Sequence, residues 1–159
     1  MSGERDRGWL MAAIDLSRLS PRSQDRYAVG AIVVDDRTGT ALAAGYTAET
    51  GPHLHAEEVA LAKLPRRYDG DLGGATMYTS LEPCTTRRSR PDSCAGLILA
   101  AGLGRVVLAL REPPVFAACQ GIRTLRRAGV DVVELGDLGH LVREINAHVL
   151  GGIGEPAVV

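Results

Sequence analysis

The sequence predicts an α/β domain of three layers, a five-stranded mixed sheet with helices on both faces. Three observations carry this. Apolar, β-branched runs alternate with segments of helical composition along most of the chain. Short turns rich in Gly, Pro and Asp separate them. The 159 residues are 45% hydrophobic and 23% charged, the balance of one globular domain with an apolar core. Aromatics are only 4%, so that core must be built from Ala, Val, Leu and Ile.

The elements follow in order. Between Trp9 and Leu19, positions Leu10, Ala13, Ile14 and Ser17 fall at helical spacing, and Ser20-Pro21 ends the helix. Tyr27 to Val34 reads as a strand. The Asp35-Asp36-Arg37-Thr38-Gly39 turn then leads into a returning strand, Ala41 to Tyr46. His55 to Leu64 is rich in Ala, Glu and Leu and predicts a helix that Pro65 stops. Ala75 to Ser80 is a short strand. Asp92 and Ser93 can cap a helix from Cys94 to Ala101, closed by Gly102. Arg105 to Leu110 reads as a buried strand, Ala117 to Ala128 as a helix, Val130 to Leu135 as a strand and Leu138 to Leu150 as the last helix. Strands separated by helices should run parallel. The expected organisation is one domain over residues 1–150 and a loose Gly-rich tail over 151–159.

Charge and cysteine content narrow the function classes. The net charge is −1, whereas gripping a nucleic-acid backbone usually needs a positive surplus. The one local basic cluster is Arg87, Arg88 and Arg90, so a nucleic-acid partner is disfavoured. Neither a secretory signal nor a membrane span is legible. Three cysteines, an odd number, argue against a disulfide framework and for a reducing, cytoplasmic compartment.

The chemistry concentrates in His55-Ala56-Glu57, Pro83-Cys84 and Cys94. One imidazole and two thiolates make a three-ligand zinc site with a fourth position left for water. Cys84 follows a strand and Cys94 opens a helix, where the positive helix end favours a thiolate. Glu57 lies two residues beyond His55, within reach of a metal-bound water without being a ligand, as a proton shuttle requires. Any of these residues alone reads as a core residue, and Cys119 is assigned to that class, but the combination points to function. The H-x-E…P-C…C order is that of zinc nucleobase deaminases, although those have two residues between the cysteines and nine stand here.

These residues resemble the cytidine-deaminase superfamily and, more narrowly, the pyrimidine deaminases of riboflavin biosynthesis. The similar segments are Val29–Val34, Gly45-Tyr46-Thr47, His55-Ala56-Glu57-Glu58, Met77–Cys84, Arg111-Glu112-Pro113 and Ala128-Gly129-Val130. The nine-residue cysteine gap is similar to the fungal type and unlike the transfer-RNA deaminases. The resemblance implies five strands sandwiched by helices, zinc on His55, Cys84 and Cys94, and Glu57 shuttling protons. It also implies a 2,5-diamino-6-(ribosyl or ribityl)amino-pyrimidinone 5′-phosphate as substrate, ammonia as product and a homodimer. The chain departs from the bacterial members of the family in three ways. It shows no reductase domain, it has Ser89-Arg90-Pro91-Asp92-Ser93 where they have Gly-Arg-Thr-Pro-Pro, and its only Asn is Asn146 rather than one near the first strand. A nucleoside, nucleobase or antibiotic precursor is therefore the alternative substrate.

Substrate contacts are expected around this centre. Arg87, Arg88 and Arg90 lie in the loop between the two cysteines, where one could hold a phosphate through a forked contact, or all three could be a solvated face. Tyr46, Glu49 and His53 precede the metal helix and could touch the ring or sugar. The Glu82 region is expected to offer a backbone carbonyl to the leaving amine. A purely structural zinc site would want a fourth protein ligand, for which His53 is the candidate, and would leave Glu57 without a purpose. The last helix carries an apolar stripe, Leu138, Leu141, Val142, Ile145 and Val149, open to reading as core or as dimer interface.

Overall fold

The computed structural model describes residues 2–65, 68, 72–85, 93–113 and 119–150. The expected tail over 151–159 and the three arginines of the cysteine loop lie outside them. Five strands, β1 (Gly30–Asp35), β2 (Thr40–Tyr46), β3 (Ala75–Leu81), β4 (Arg105–Leu110) and β5 (Asp131–Glu134), form one sheet in the order β2-β1-β3-β4-β5. β1 pairs antiparallel with β2 and β3, whereas β3, β4 and β5 are parallel. The expected mixed sheet is therefore present, with its hairpin first and its parallel strands last.

Helices cover both faces. On one face, α1 (Ser2–Ser17) packs on β1 and β3 and touches α5 (Gly139–Ile145). On the other, α2 (Ala56–Ala62), α3 (Cys94–Ala100) and α4 (Gly121–Arg127) follow one another in contact. β3 is buried along its whole length, as a strand between two helical layers must be. The core is aliphatic, with Leu10, Ile14, Val33, Met77, Ile98, Val106, Leu108 and Leu125 withdrawn from water.

Several boundaries differ from the expected ones, each for a local reason. α1 begins at Ser2 rather than Trp9, because Asp6 in its polar first turns is buried against Tyr78 and Arg105. β1 begins at Gly30 rather than Tyr27. The preceding residues turn their hydrogen bonds elsewhere: Tyr27 to Pro113, Ala28 to Asn146 and Val29 to the Thr47 side chain. α4 begins at Gly121; Gln120, just before it, donates its N–H to the Thr85 hydroxyl at 3.2 Å. The long last helix is broken into a 3₁₀ turn (Gly136–Leu138), α5 and α6 (Ala147–Leu150). The break is at Asn146. Its amide accepts from Ala28 N–H (2.7 Å) and donates to the carbonyls of Ala28 (3.1 Å) and Val142 (3.0 Å). The apolar stripe over these pieces faces inward, since Leu138, Val142 and Val149 are buried and Leu141 and Ile145 pack on the core. Among the described residues no helix is long and apolar enough to cross a membrane.

Candidate active site

The site is assembled where the parallel strands end, the edge at which α/β sheets expose their loops to ligands. His55 caps the N-terminus of α2 in extended backbone geometry (φ −81°, ψ 156°), and its N–H reaches the Glu58 carboxylate. The loop leading to it is held by a bond from Ala48 N–H to the Leu54 carbonyl, with Ala48 in the left-handed region (φ 62°). α2 can approach β2 because position 45 is glycine. A Cβ there would lie 2.8 Å from the backbone nitrogen of Ala60 and from the Val59 side chain.

Cys84 follows β3 by way of Glu82-Pro83, and Cys94 is the first residue of α3, behind a Ser93 cap that accepts Gly96 N–H at 3.0 Å. The two cysteine segments are stitched together. Ala95 N–H donates to the Cys84 carbonyl (3.0 Å) and Cys94 N–H to the Cys84 sulfur (3.3 Å). His55 Nδ1 lies 3.5 Å from Cys84 Sγ and 3.3 Å from Cys94 Sγ, with all three donor atoms within 4.8 Å of one another. Tetrahedral zinc with ordinary Zn–S and Zn–N bonds would set its nitrogen and sulfur ligands about 3.6 Å apart. The donor set therefore fits zinc in both chemistry and spacing. Hydrogen bonding from Cys94 first, and from His55, holds the Cys84 thiol well below its ordinary range despite its burial.

Glu57 is buried in the first turn of α2, beside Thr79 of β3. Burial pushes its carboxyl up to about 7, with Cys84 adding to the rise and His55 opposing it. A carboxyl with that value beside a metal triad can both take and give a proton near neutral pH.

The structure distributes the expected substrate contacts unevenly. Glu82 is buried with both carboxylate oxygens engaged, accepting Glu112 N–H (2.9 Å) and Ile122 N–H (3.0 Å). Its side chain thus ties the end of β4 and the start of α4 to the metal segment. Glu49 is paired with Lys63 at 2.7 Å, and the same ammonium donates to the Ala44 carbonyl of β2 at 2.8 Å. Tyr46 ends β2 opposite Gly30 and is half-buried, while His53 is exposed in the turn before His55. Cys119 donates to the Pro83 carbonyl (3.2 Å), and burial pushes its thiol far above the ordinary range. It behaves as a packed thiol, in keeping with its sequence assignment.

Sequence reasoning missed Glu112 as a site residue. Burial pushes it up to about 7, with Cys119 opposing the rise and the charges of Cys84, Glu57 and Glu82 adding to it. A signal was present in an acidic residue two positions after an apolar strand and just before a proline, at the edge where the other site residues gather.

Comparison with known proteins agrees with this geometry. Residues 4–110 match the family described as the cytidine and deoxycytidylate deaminase zinc-binding region. The diaminohydroxyphosphoribosylamino-pyrimidine deaminase of Schizosaccharomyces pombe is 34% identical over 127 residues, covering 79% of this chain and 31% of that protein. The riboflavin biosynthesis protein RibD of Aquifex aeolicus is 32% identical over 147 residues, 92% of this chain and 39% of that one. The crystal structure of a diaminohydroxyphosphoribosylaminopyrimidine deaminase/5-amino-6-(5-phosphoribosylamino)uracil reductase from Thermotoga maritima superposes with a TM-score of 0.81 at 26% identity, over 94% of this chain and 41% of that one. The chain thus spans well under half the length of these relatives. With a matched region covering both the first helix and the His55, Cys84 and Cys94 segments, the chain belongs to the cytidine and deoxycytidylate deaminase zinc-binding family.

Proposed function

We propose that this protein is a zinc-dependent hydrolytic deaminase that releases ammonia from a 2,5-diamino-6-(ribosyl or ribityl)amino-pyrimidinone 5′-phosphate. The observation that carries the reaction type is the buried Glu57 carboxyl beside the His55, Cys84 and Cys94 triad. The substrate class is supported by the names of the relatives, which this chain matches over most of its own length. In this reading His55 Nδ1 and the two cysteine sulfurs hold the metal. Zinc, when bound there, supplies a water acidic enough to act as a nucleophile near neutral pH.

The protein's own groups do the rest. Glu57 takes one proton from the attacking water and passes it to a ring nitrogen, then takes the remaining proton from the added hydroxyl, as the carbonyl forms, and gives it to the departing amine. Glu82 fixes the loop that carries Cys84, and Glu112 adds a second acidic group for the polar edge of the substrate. The same reading includes a homodimer, supported by the oligomeric habit of the family the chain resembles. It includes a reducing, cytoplasmic setting, supported by the odd number of cysteines.

The test is ammonia release from the zinc-loaded protein, comparing the ribosyl and ribityl diaminopyrimidinone phosphates with cytidine, deoxycytidylate, cytosine and guanine. Turnover of a phosphorylated diaminopyrimidinone well above the rest is the expected result. Turnover of only an unphosphorylated nucleoside or base would keep the reaction and overturn the substrate.

A further inference from the structure

The segment leading into β1 crosses the same end of the sheet as the metal triad, and it is tied down residue by residue. Val29 N–H donates to Thr47 Oγ1 at 3.0 Å, and the Tyr27 hydroxyl donates to the Pro113 carbonyl at 2.9 Å, next to Glu112. Arg26 Nη1 donates to the Pro52 carbonyl at 2.8 Å, three residues before His55. The Arg26 guanidinium is therefore pinned at the rim of the site, between the loop that delivers His55 and the segment that meets Glu112.

Its bonding is incomplete in a particular way. Nε is buried and has no hydrogen-bond acceptor among the described residues. The adjacent Asp25 carboxylate, which accepts from the Ser23 hydroxyl through Oδ1, is not its acceptor. A buried donor on a charged group is costly to leave unmade, and native structures rarely do so without a reason. With Nη1 committed to Pro52, the edge still available is the one formed by Nε and Nη2, whose two parallel N–H groups match two oxygens of one oxyanion.

We propose that Arg26 is the residue that reads the phosphate of the substrate, through its Nε–Nη2 edge. The inference rests on the phosphorylated substrate assigned above and names the side chain that selects for it. The anchored Nη1 gives the fork a fixed direction, so selection costs little ordering on binding.

The test uses the full chain loaded with zinc. The Arg26 Nε–H resonance is identified by its disappearance in Arg26→Lys and followed by nitrogen-15 NMR during addition of ribose 5-phosphate, with ribose as control. It is expected to move with ribose 5-phosphate and not with ribose. In parallel, Arg26→Gln is expected to raise KM for the phosphorylated diaminopyrimidinone about tenfold, about 1.4 kcal/mol. KM for the dephosphorylated compound should rise far less, so the ratio of the two KM values carries the result, whatever the loss of the Pro52 contact does to kcat. An unmoved resonance in a protein that turns over the phosphorylated compound would overturn the role of Arg26 and leave the substrate reading intact. Equal KM increases for both compounds would also overturn it. A resonance that moves with ribose 5-phosphate in a protein that deaminates no diaminopyrimidinone would keep the phosphate site and overturn the substrate.

Discussion

At the scale of single residues, the chemistry depends on holding one carboxyl where water cannot stabilise its charge. Glu57 rises to about 7 chiefly because it is buried, so the group proposed to move protons is also one the fold does not favour in its ionised form. Replacing it by Gln removes the proton carrier and keeps size and burial. Glu57→Gln is therefore expected to lower ammonia release by about 10²–10⁴-fold. Zinc content and melting temperature should stay at the parent level, checked by metal analysis and thermal unfolding of the same samples. A variant that kept most of its activity would remove Glu57 from the mechanism. The grouping of His55, Cys84 and Cys94 was legible in the sequence because metal ligation permits few side chains and fixes their order. The Glu82 and Glu112 environments were not, because they depend on which backbone N–H groups a carboxylate meets after folding.

At the scale of elements, the site is held by close approaches that only glycine allows. Gly121 opens α4 directly against the Pro83 carbonyl, and a Cβ there would come within 2.0 Å of that oxygen. Either α4 or the Pro83-Cys84 segment must then shift, and Cys84 is the residue exposed to the error. Gly121→Ala is expected to cost about 1–3 kcal/mol by overpacking and to lower zinc occupancy with it. Gly136→Ala, with nothing within 4 Å of the new atom, should change stability by less than about 0.5 kcal/mol. Chemical unfolding with metal analysis on both variants separates the two. Element type and order followed from periodicity and from turn residues such as Gly39 and Gly102. The errors fell where a side chain bonded across the fold. Asn146, bonded to Ala28, broke what reads as one long final helix, and Asp6, bonded to Tyr78 and Arg105, extended the first. Neither partner is visible from local sequence.

At the scale of the whole molecule, the sheet separates a catalytic end from a fastening end. The loops after β3 and β4 carry the site, whereas Arg105 opens β4 at the opposite end. There Asp6 of α1 accepts from the Tyr78 hydroxyl of β3 (2.7 Å) and from both terminal nitrogens of Arg105, which also approaches Asp131 of β5 (3.5 Å). One carboxylate thus joins a helix to the central strands while lying almost out of solvent contact. The Arg105 guanidinium, followed by the Tyr78 hydroxyl, holds the Asp6 carboxyl below the ordinary range against the opposing effect of burial. A carboxyl depressed in the folded state stabilises the protein fully above its unfolded value, about 3.9, and that contribution is lost as pH falls towards and through the folded value. Asp6→Asn is expected to cost about 1–3 kcal/mol at pH 7, because Arg105 and Tyr78 lose their charged acceptor. It should also flatten the decline in stability below about pH 4 relative to the parent protein. Since the fastening lies across the sheet from His55 and Glu57, kcat at 25 °C should be unaffected while the variant remains folded. Urea unfolding at pH 7 and pH 3.5, with ammonia release at pH 7, checks all three parts. If kcat fell in step with stability, the two ends would be coupled through β3, and the separation argued from the topology would be wrong.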